Sequence, residues 1–325
     1  MSNFWTTFDG PVFSLAPMED VTDTVFREIV MRMAAPGKLQ VVFTEFTSVE
    51  GMDHPVGRER VSERMIVNDS ERELLRKLNI KIVAQIWGRN PEVYNRIARY
   101  ITDNYDFDGI DINMGCPVKK VFKIGACSAL IGEPERAREI VLATKEGTSL
   151  PVSVKTRTGI KEHITENWIA NLLDVDPAAI ILHGRTQRMQ SEGEASWEEI
   201  AKAVELKNGM KPQIPVHGNG DIISYEQGLE RIRETGVDGV MIGRGIFHNP
   251  WFFNPVKTEI SMEDRIGKLL EHTRLFEQTW SPGKNFNILK RFYKIYLNSF
   301  PGAAKMRADL MEVKSYEDVY RYFNS

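Results

Sequence analysis

The chain has 325 residues, 42% hydrophobic and 27% charged, with a formal net charge of −3. That balance argues against a uniformly basic nucleic-acid coat, and two cysteines, Cys116 and Cys127, do not make a disulfide scaffold. No apolar run approaches the ~20 residues needed to span a bilayer. The segment from Met1 to Gly10 also lacks the basic and apolar regions of a secretory signal, so a cytoplasmic protein with reduced thiols is expected.

Short β-rich apolar runs recur at 12–16, 39–44, 80–86, 109–113, 152–155, 179–183, 214–217 and 239–242. Stretches such as 91–102, 133–145 and 225–234 lie between them and carry helical apolar spacing. Eight strands alternating with helices over ~250 residues is the rhythm of a (β/α)8 TIM barrel. A doubly wound sheet has a similar rhythm. Here the phosphate-type glycine loops follow the seventh and eighth strands rather than the first, which favours the barrel. After Asn249-Pro250-Trp251 the pattern changes, and 262–279, 286–300 and 315–323 read as helices with no strand between them. The expected α/β architecture is a barrel over 1–250 and a small all-α C-terminal domain over 251–325. Residues 256–325 hold 12 Lys and Arg against 9 Asp and Glu, so this tail is net +3 and the remainder −6.

The strand ends carry the chemistry, because catalytic groups of a barrel project from the C-terminal ends of its strands. Strand one ends at Ala16-Pro17-Met18, strand three at Gln85, strand four at Asn113-Met114-Gly115-Cys116-Pro117, and strand five at Lys155. Strand six ends at His183-Gly184-Arg185, where Arg185 alternates onto the face of His183. The last two strands run into Gly218-Asn219-Gly220-Asp221 and Gly243-Arg244-Gly245, which can offer backbone N–H groups and a cation to a phosphate. A lysine ending an apolar strand must be paired or facing a ligand. A planar cofactor that gathers negative charge on reduction, such as a flavin, suits Lys155, with Gln85 on its uracil-like edge. Cys116, boxed between Gly115 and Pro117, is the candidate reactive thiol; its plain alternative is a small buried hydrophobe. No metal is expected, since His54, His163, His217, His248 and His272 form no ligand spacing with each other or with cysteine. A nicotinamide-binding GxGxxG after the first strand is missing.

Taken in order, Ala16-Pro17-Met18, Thr44-Glu45, Asn113-Met114-Gly115-Cys116-Pro117, Ser153-Val154-Lys155-Thr156-Arg157, His183-Gly184-Arg185-Thr186, Gly218-Asn219-Gly220-Asp221 and Gly243-Arg244 resemble the tRNA-dihydrouridine synthase family. The resemblance covers the whole barrel. It implies an FMN enzyme that uses NADPH to reduce the C5–C6 double bond of selected tRNA uridines. Hydride would pass from flavin N5 to C6 and a proton from Cys116 to C5. Carried over, Pro17, Met18, Gln85, Lys155 and His183 would lie against the flavin. Asn219, Gly220, Asp221, Gly243 and Arg244 would surround its phosphate, and Asn113 and Arg185 would face the uracil. The helical domain would bind tRNA through Lys290, Arg291, Lys294, Lys305 and Arg307, interleaved with Phe292, Tyr293 and Tyr296, unless those aromatics form its core. Glu19 stands where many members have a small residue, and Ile124 and Cys127 stand where glycine is common. The protein is expected to act as a monomer, without membrane or metal. The alternative is an FMN-dependent barrel oxidoreductase acting on a free pyrimidine or another small unsaturated substrate.

Overall fold

The computed structural model describes residues 3–298 and 300–325. Met1 and Ser2 of the N-terminal segment, and Ser299 within the expected 286–300 helix, lie outside the described residues. Nine parallel strands form one sheet: β1 (Val12–Leu15), β2 (Val41–Phe43), β3 (Thr47–Ser48), β4 (Lys81–Trp87), β5 (Gly109–Met114), β6 (Val152–Arg157), β7 (Ile180–His183), β8 (Val216–Asn219) and β9 (Gly239–Ile242). Pairing runs from β2 through β1, β9, β8, β7, β6 and β5 to β4, and β4 pairs back to β2. The sheet therefore closes into an eight-stranded barrel, with β3 resuming the edge of β4 after a kink at Thr44-Glu45-Phe46. All eight expected strands are present. β3 was not foreseen, because two residues carry no periodicity.

Helices between strands begin and end on local signals. The helix Pro91–Asn104 has proline in its first turn and the Asn90 side chain accepting from the Glu92 amide. Tyr225–Thr235 is capped by Ser224 and stopped by Gly236 at φ +71°. Apolar side chains on the outer faces of the strands and the inner faces of the helices make one continuous core. A second cluster fills the barrel itself, with Phe4, Trp5, Val12, Val41, Phe43, Val83, Ala179, Ile181 and Met241 among its members. Phe4 and Trp5 stack at 4.8 Å from a short 3-10 turn and plug the N-terminal end, where Asn3 Nδ2 donates to the Ala178 carbonyl at 2.9 Å.

The C-terminal region is helical, as expected, and docks on the barrel. Met262–Trp280 starts in a Ser261/Asp264 capping box and packs along Thr24–Met33, where Trp280 Nε1 donates to Asp23 at 2.9 Å. Phe26 stacks on Phe292 at 5.1 Å. The expected helix over 286–300 is instead a 3-10 turn, Phe286–Phe292, leading into a single α-turn, Tyr293–Tyr296. An additional helix, Ala303–Asp309, follows. Phe292, Tyr293 and Tyr296 are buried, and Lys290 is buried with them, its ammonium donating to the Met311 carbonyl at 2.5 Å. These four residues therefore build the core of the region rather than an RNA-facing surface. Of the other basic candidates, Arg291 and Lys294 are exposed, Lys305 pairs with Asp309 at 2.8 Å, and Arg307 donates to the Leu297 carbonyl. Among the described residues no helix is long and apolar enough to cross a membrane.

Candidate active site

A cleft of about 460 Å³ opens at the C-terminal ends of the barrel strands. All of the sequence-derived candidates line it: Pro17, Met18, Gln85, Asn113, Cys116, Lys155, His183, Arg185, Asn219, Gly220, Asp221, Gly243 and Arg244. Sequence reasoning assigned no role to Arg157, Phe46 or Gln190, which also line it. Arg157 was findable: it lies two residues beyond Lys155 on β6, and strand alternation puts both on one face.

Cys116 sits just past β5 on a turn whose amides are held from below. Asn113 Oδ1 accepts from the backbone N–H groups of both Gly115 and Cys116 at 3.0 Å. The Ser128 hydroxyl donates to the Cys116 carbonyl at 2.7 Å. A hydrogen bond from the Cys127 thiol lowers the Cys116 thiol to about 7, helped by the Val118 amide and nearby Arg157 and opposed by burial. The Cys116 thiol is thereby held below the ordinary thiol range. Cys127 itself is fully buried, and burial pushes its thiol well up. Its φ of +54° lies in the left-handed region, which accounts physically for a position that glycine would fill easily.

The opposite wall is a crowd of cations. Lys155 donates to Asn219 Oδ1 at 3.2 Å, and Asn219 Nδ2 in turn donates to the Met241 carbonyl at 2.8 Å. Burial, with Arg157 beside it, lowers Lys155 to about 8. Arg157 is lowered to about 10, chiefly by burial. Its guanidinium donates to the carbonyls of Gly115, Thr186 and Gln190 at 2.7 to 3.0 Å. His183 is held well below its usual value by burial and by the surrounding Arg157, Lys155 and Arg185. Its Nε2 lies 3.2 Å from Arg185 Nη1; arginine can only donate, so Nε2 accepts and the proton resides on Nδ1.

Arg185 is 2% exposed and most of its donors are engaged, by Glu192 and Gly193 carbonyls, His183 and Asp221. One N–H remains to offer a ligand. The Asp221 carboxylate accepts from Arg185 at 2.6 Å, from the Ala195 amide at 2.8 Å and from Arg244 at 3.3 Å. A carboxylate repels phosphate, so at this site Asp221 acts by aiming the two arginines. Arg244 is loosely held and its side chain is 56% exposed, free to meet an anion. Gly220, at φ +136°, could not carry a side chain: a Cβ there would approach Ala195 to 2.4 Å.

This donor set fits a planar ring with a polar edge and an anionic tail. Gln85 and Lys155 come from the strand ends, and Arg244 stands beside Gly243, whose added Cβ would meet nothing nearer than Ala16 at 3.8 Å.

Comparison with known proteins points the same way. The sequence model of the family described as "Dihydrouridine synthase" matches residues 14–322. A "Probable tRNA-dihydrouridine synthase" of Staphylococcus epidermidis is 42% identical over 316 residues, covering 96% of this chain and 93% of that one. A "Probable tRNA-dihydrouridine synthase 2" of Bacillus subtilis is 39% identical over 320 residues, with 98% and 94% covered. Among solved structures, the old yellow enzyme homologue from Zymomonas mobilis aligns with a TM-score of 0.50 at 12% identity, over 74% of this chain and 86% of that one. Histamine dehydrogenase from Rhizobium sp. 4-9 aligns at 0.53 and 14% identity, over 81% of this chain and 48% of its own. At such identities the likeness is one of fold.

Proposed function

The chain belongs to the dihydrouridine synthase family, and on that footing we propose that it reduces the C5–C6 double bond of uridines in tRNA, with FMN bound in the cleft and NADPH as reductant. FMN, when bound, supplies the hydride that C6 receives. The observation that carries the reading is the convergence of one tuned thiol, Cys116, with Asn113, Gln85 and Lys155 at the strand ends of a single cleft.

Each residue then has a defined task. Cys116 delivers the proton to C5. A donor whose pKa lies near the working pH is well matched to this, since it both gives a proton readily and recovers one from solvent. Asn113 holds the Cys116 turn. The Lys155 ammonium and the one remaining Nε2–H of Gln85 face the polar edge of the ring, and Arg244 with Gly243 faces the phosphate. His183 meets the cofactor as a neutral donor through Nδ1, and Arg185 offers its remaining N–H to the uracil. Pro17 and Met18 supply apolar wall. A uridine stacked in folded RNA cannot reach Cys116 at the cleft, so it must be extruded from its stack. The helical region, residues 251–325, would grip the tRNA through exposed Arg291 and Lys294.

The test is anaerobic. The visible flavin band of the purified protein is bleached with NADPH, and tRNA from cells lacking dihydrouridine is added. Return of the oxidised spectrum with new dihydrouridine in the RNA is expected. A flavin that reduces but ignores tRNA would favour a small pyrimidine substrate, and no band after addition of FMN would remove the redox reading.

A further inference from the structure

Behind the reactive thiol three barrel strands contribute one buried hydrogen-bonded chain. Asp111 on β5 is fully buried, and strand register sets it level with Gln85 of β4 on one side and Ser153 of β6 on the other. Its carboxylate accepts from the Ser153 hydroxyl at 2.6 Å and from Gln85 Nε2 at 2.7 Å. Gln85 Oε1 in turn accepts from Asn113 Nδ2 at 3.0 Å. Asn113 Oδ1 then receives the amides of Gly115 and Cys116.

The chain can be satisfied in only one sense. An ionised carboxylate only accepts, and a backbone N–H only donates. The two amide side chains between these fixed ends have nearly isosteric N and O termini and could otherwise sit either way round. With Asp111 at one end and two N–H groups at the other, every link is a donor facing an acceptor. Flipping either amide would set two donors or two acceptors against each other among buried side chains, which is costly.

We propose that Asp111 is a positioning residue for the reaction: through Gln85 and Asn113 it fixes the turn that carries Cys116. It touches neither substrate nor cofactor. The assignment rests on the reading of Cys116 as the proton donor, but it can be tested without RNA. Asparagine at 111 can keep the pattern, its Oδ1 accepting from Gln85 while its Nδ2 donates to the Ser153 oxygen. Leucine, similar in size, cannot.

Asp111→Leu and Asp111→Asn are therefore compared in three assays: the pH midpoint of Cys116 alkylation by iodoacetamide, read by mass spectrometry; kcat and KM on tRNA; and thermal melting. In Asp111→Leu the alkylation midpoint is expected to move up from about 7 toward that of an ordinary thiol and kcat to fall about 100-fold, the cost of a small misplacement. KM should hold. Asp111→Asn is expected to stay within about threefold of wild type in kcat, with its midpoint unmoved. If Asp111→Leu does not fold, Asp111→Ala, which leaves room for water, is read in the same way with at least about a tenfold loss expected. The proposal falls if the leucine or alanine variant folds and keeps both midpoint and kcat, or if asparagine loses as much as leucine. Wild-type protein that alkylates normally but never reduces tRNA would overturn the proposed function instead, and leave the alkylation arm to judge Asp111.

Discussion

The two ends of this barrel are made from the same strands and do opposite things. On β8, His217 and Asn219 share a face and stand two residues apart. At the N-terminal end His217 packs against Trp5 with ring centroids 5.0 Å apart, and neither ring nitrogen has a partner among the described residues. At the C-terminal end Asn219 is bonded on both sides, to Lys155 and to the Met241 carbonyl. The lower end is an apolar plug that contributes stability by burying apolar surface. At the upper end Lys155 drops to about 8, Arg157 to about 10, and His183 well below its norm, chiefly because burial penalises their charged forms and further because other cations crowd beside them. Such crowding is tolerable where a bound anion completes the site, and strongly perturbed groups gathered in one cleft are a mark of function. Stability and activity are thus segregated along the barrel axis, and substitutions at the two ends should separate them.

The largest separation is expected from Cys116→Ala. The variant should fold, bind flavin and be bleached by NADPH, while uridine reduction falls by about 10³-fold, the scale of a lost general acid. Cys127→Ala is the matched control and should retain most turnover; full activity in Cys116→Ala would end the proton-donor assignment. The converse change is Trp5→Ala. Trp5 is 3% exposed within the barrel plug. Its loss should cost about 3–4 kcal/mol of stability, seen as a lower Tm. Well below that Tm, Cys116 alkylation should match wild type. A folded Trp5 variant with altered Cys116 reactivity would show that the two ends are coupled after all.

A smaller effect separates the groups within the upper end. Because the Cys116 thiol is lowered to about 7, its alkylation should rise about tenfold per pH unit below 7 and level off above it. Proton donation runs the other way. The S–H form is full below pH 7 and is lost as pH rises through it, so the proton-transfer step should slow on the alkaline side. Cys127→Ala removes the leading cause of the shift and should move the alkylation midpoint upward; an unmoved midpoint would mean that Val118 and Arg157 suffice.

How much of this was readable beforehand follows the same axis. The barrel strands declare themselves as apolar runs, and the upper-end residues as polar groups where those runs stop, which is why Lys155, Asn113 and the Gly243-Arg244 loop could be picked out. Asp111 was passed over, although a carboxylate inside Ile110-Asp111-Ile112-Asn113, on the face of Asn113, is a visible anomaly in a buried strand. The 3-10 geometry of Phe286–Phe292 left no sequence trace, since its aromatic spacing also suits an α-helix. The depression of the Cys116 thiol was not legible either. It depends on Cys127, eleven residues away in the chain and brought back by a left-handed turn that no local pattern announces.

The smallest expected effect tests the apolar end. His217→Leu removes two buried nitrogens that lack partners among the described residues, which favours the variant, and loses an edge contact to Trp5, which opposes it. At pH 7 the two should nearly cancel, leaving stability within about 1 kcal/mol of wild type. Acid separates them. Burial lowers the folded-state His217 to about 4, below its ordinary 6.5. As pH falls from 6.5 toward 4 the unfolded chain therefore takes up a proton that the folded chain refuses, and wild type loses stability. By pH 5 that loss is about 2 kcal/mol, and the leucine variant, having no such group, should keep it. Denaturant titrations of both proteins at pH 7 and pH 5 measure the difference. Equal acid sensitivity would mean that His217 is protonated inside the barrel and finds a counter-charge there, and the lower end would then be no mere plug.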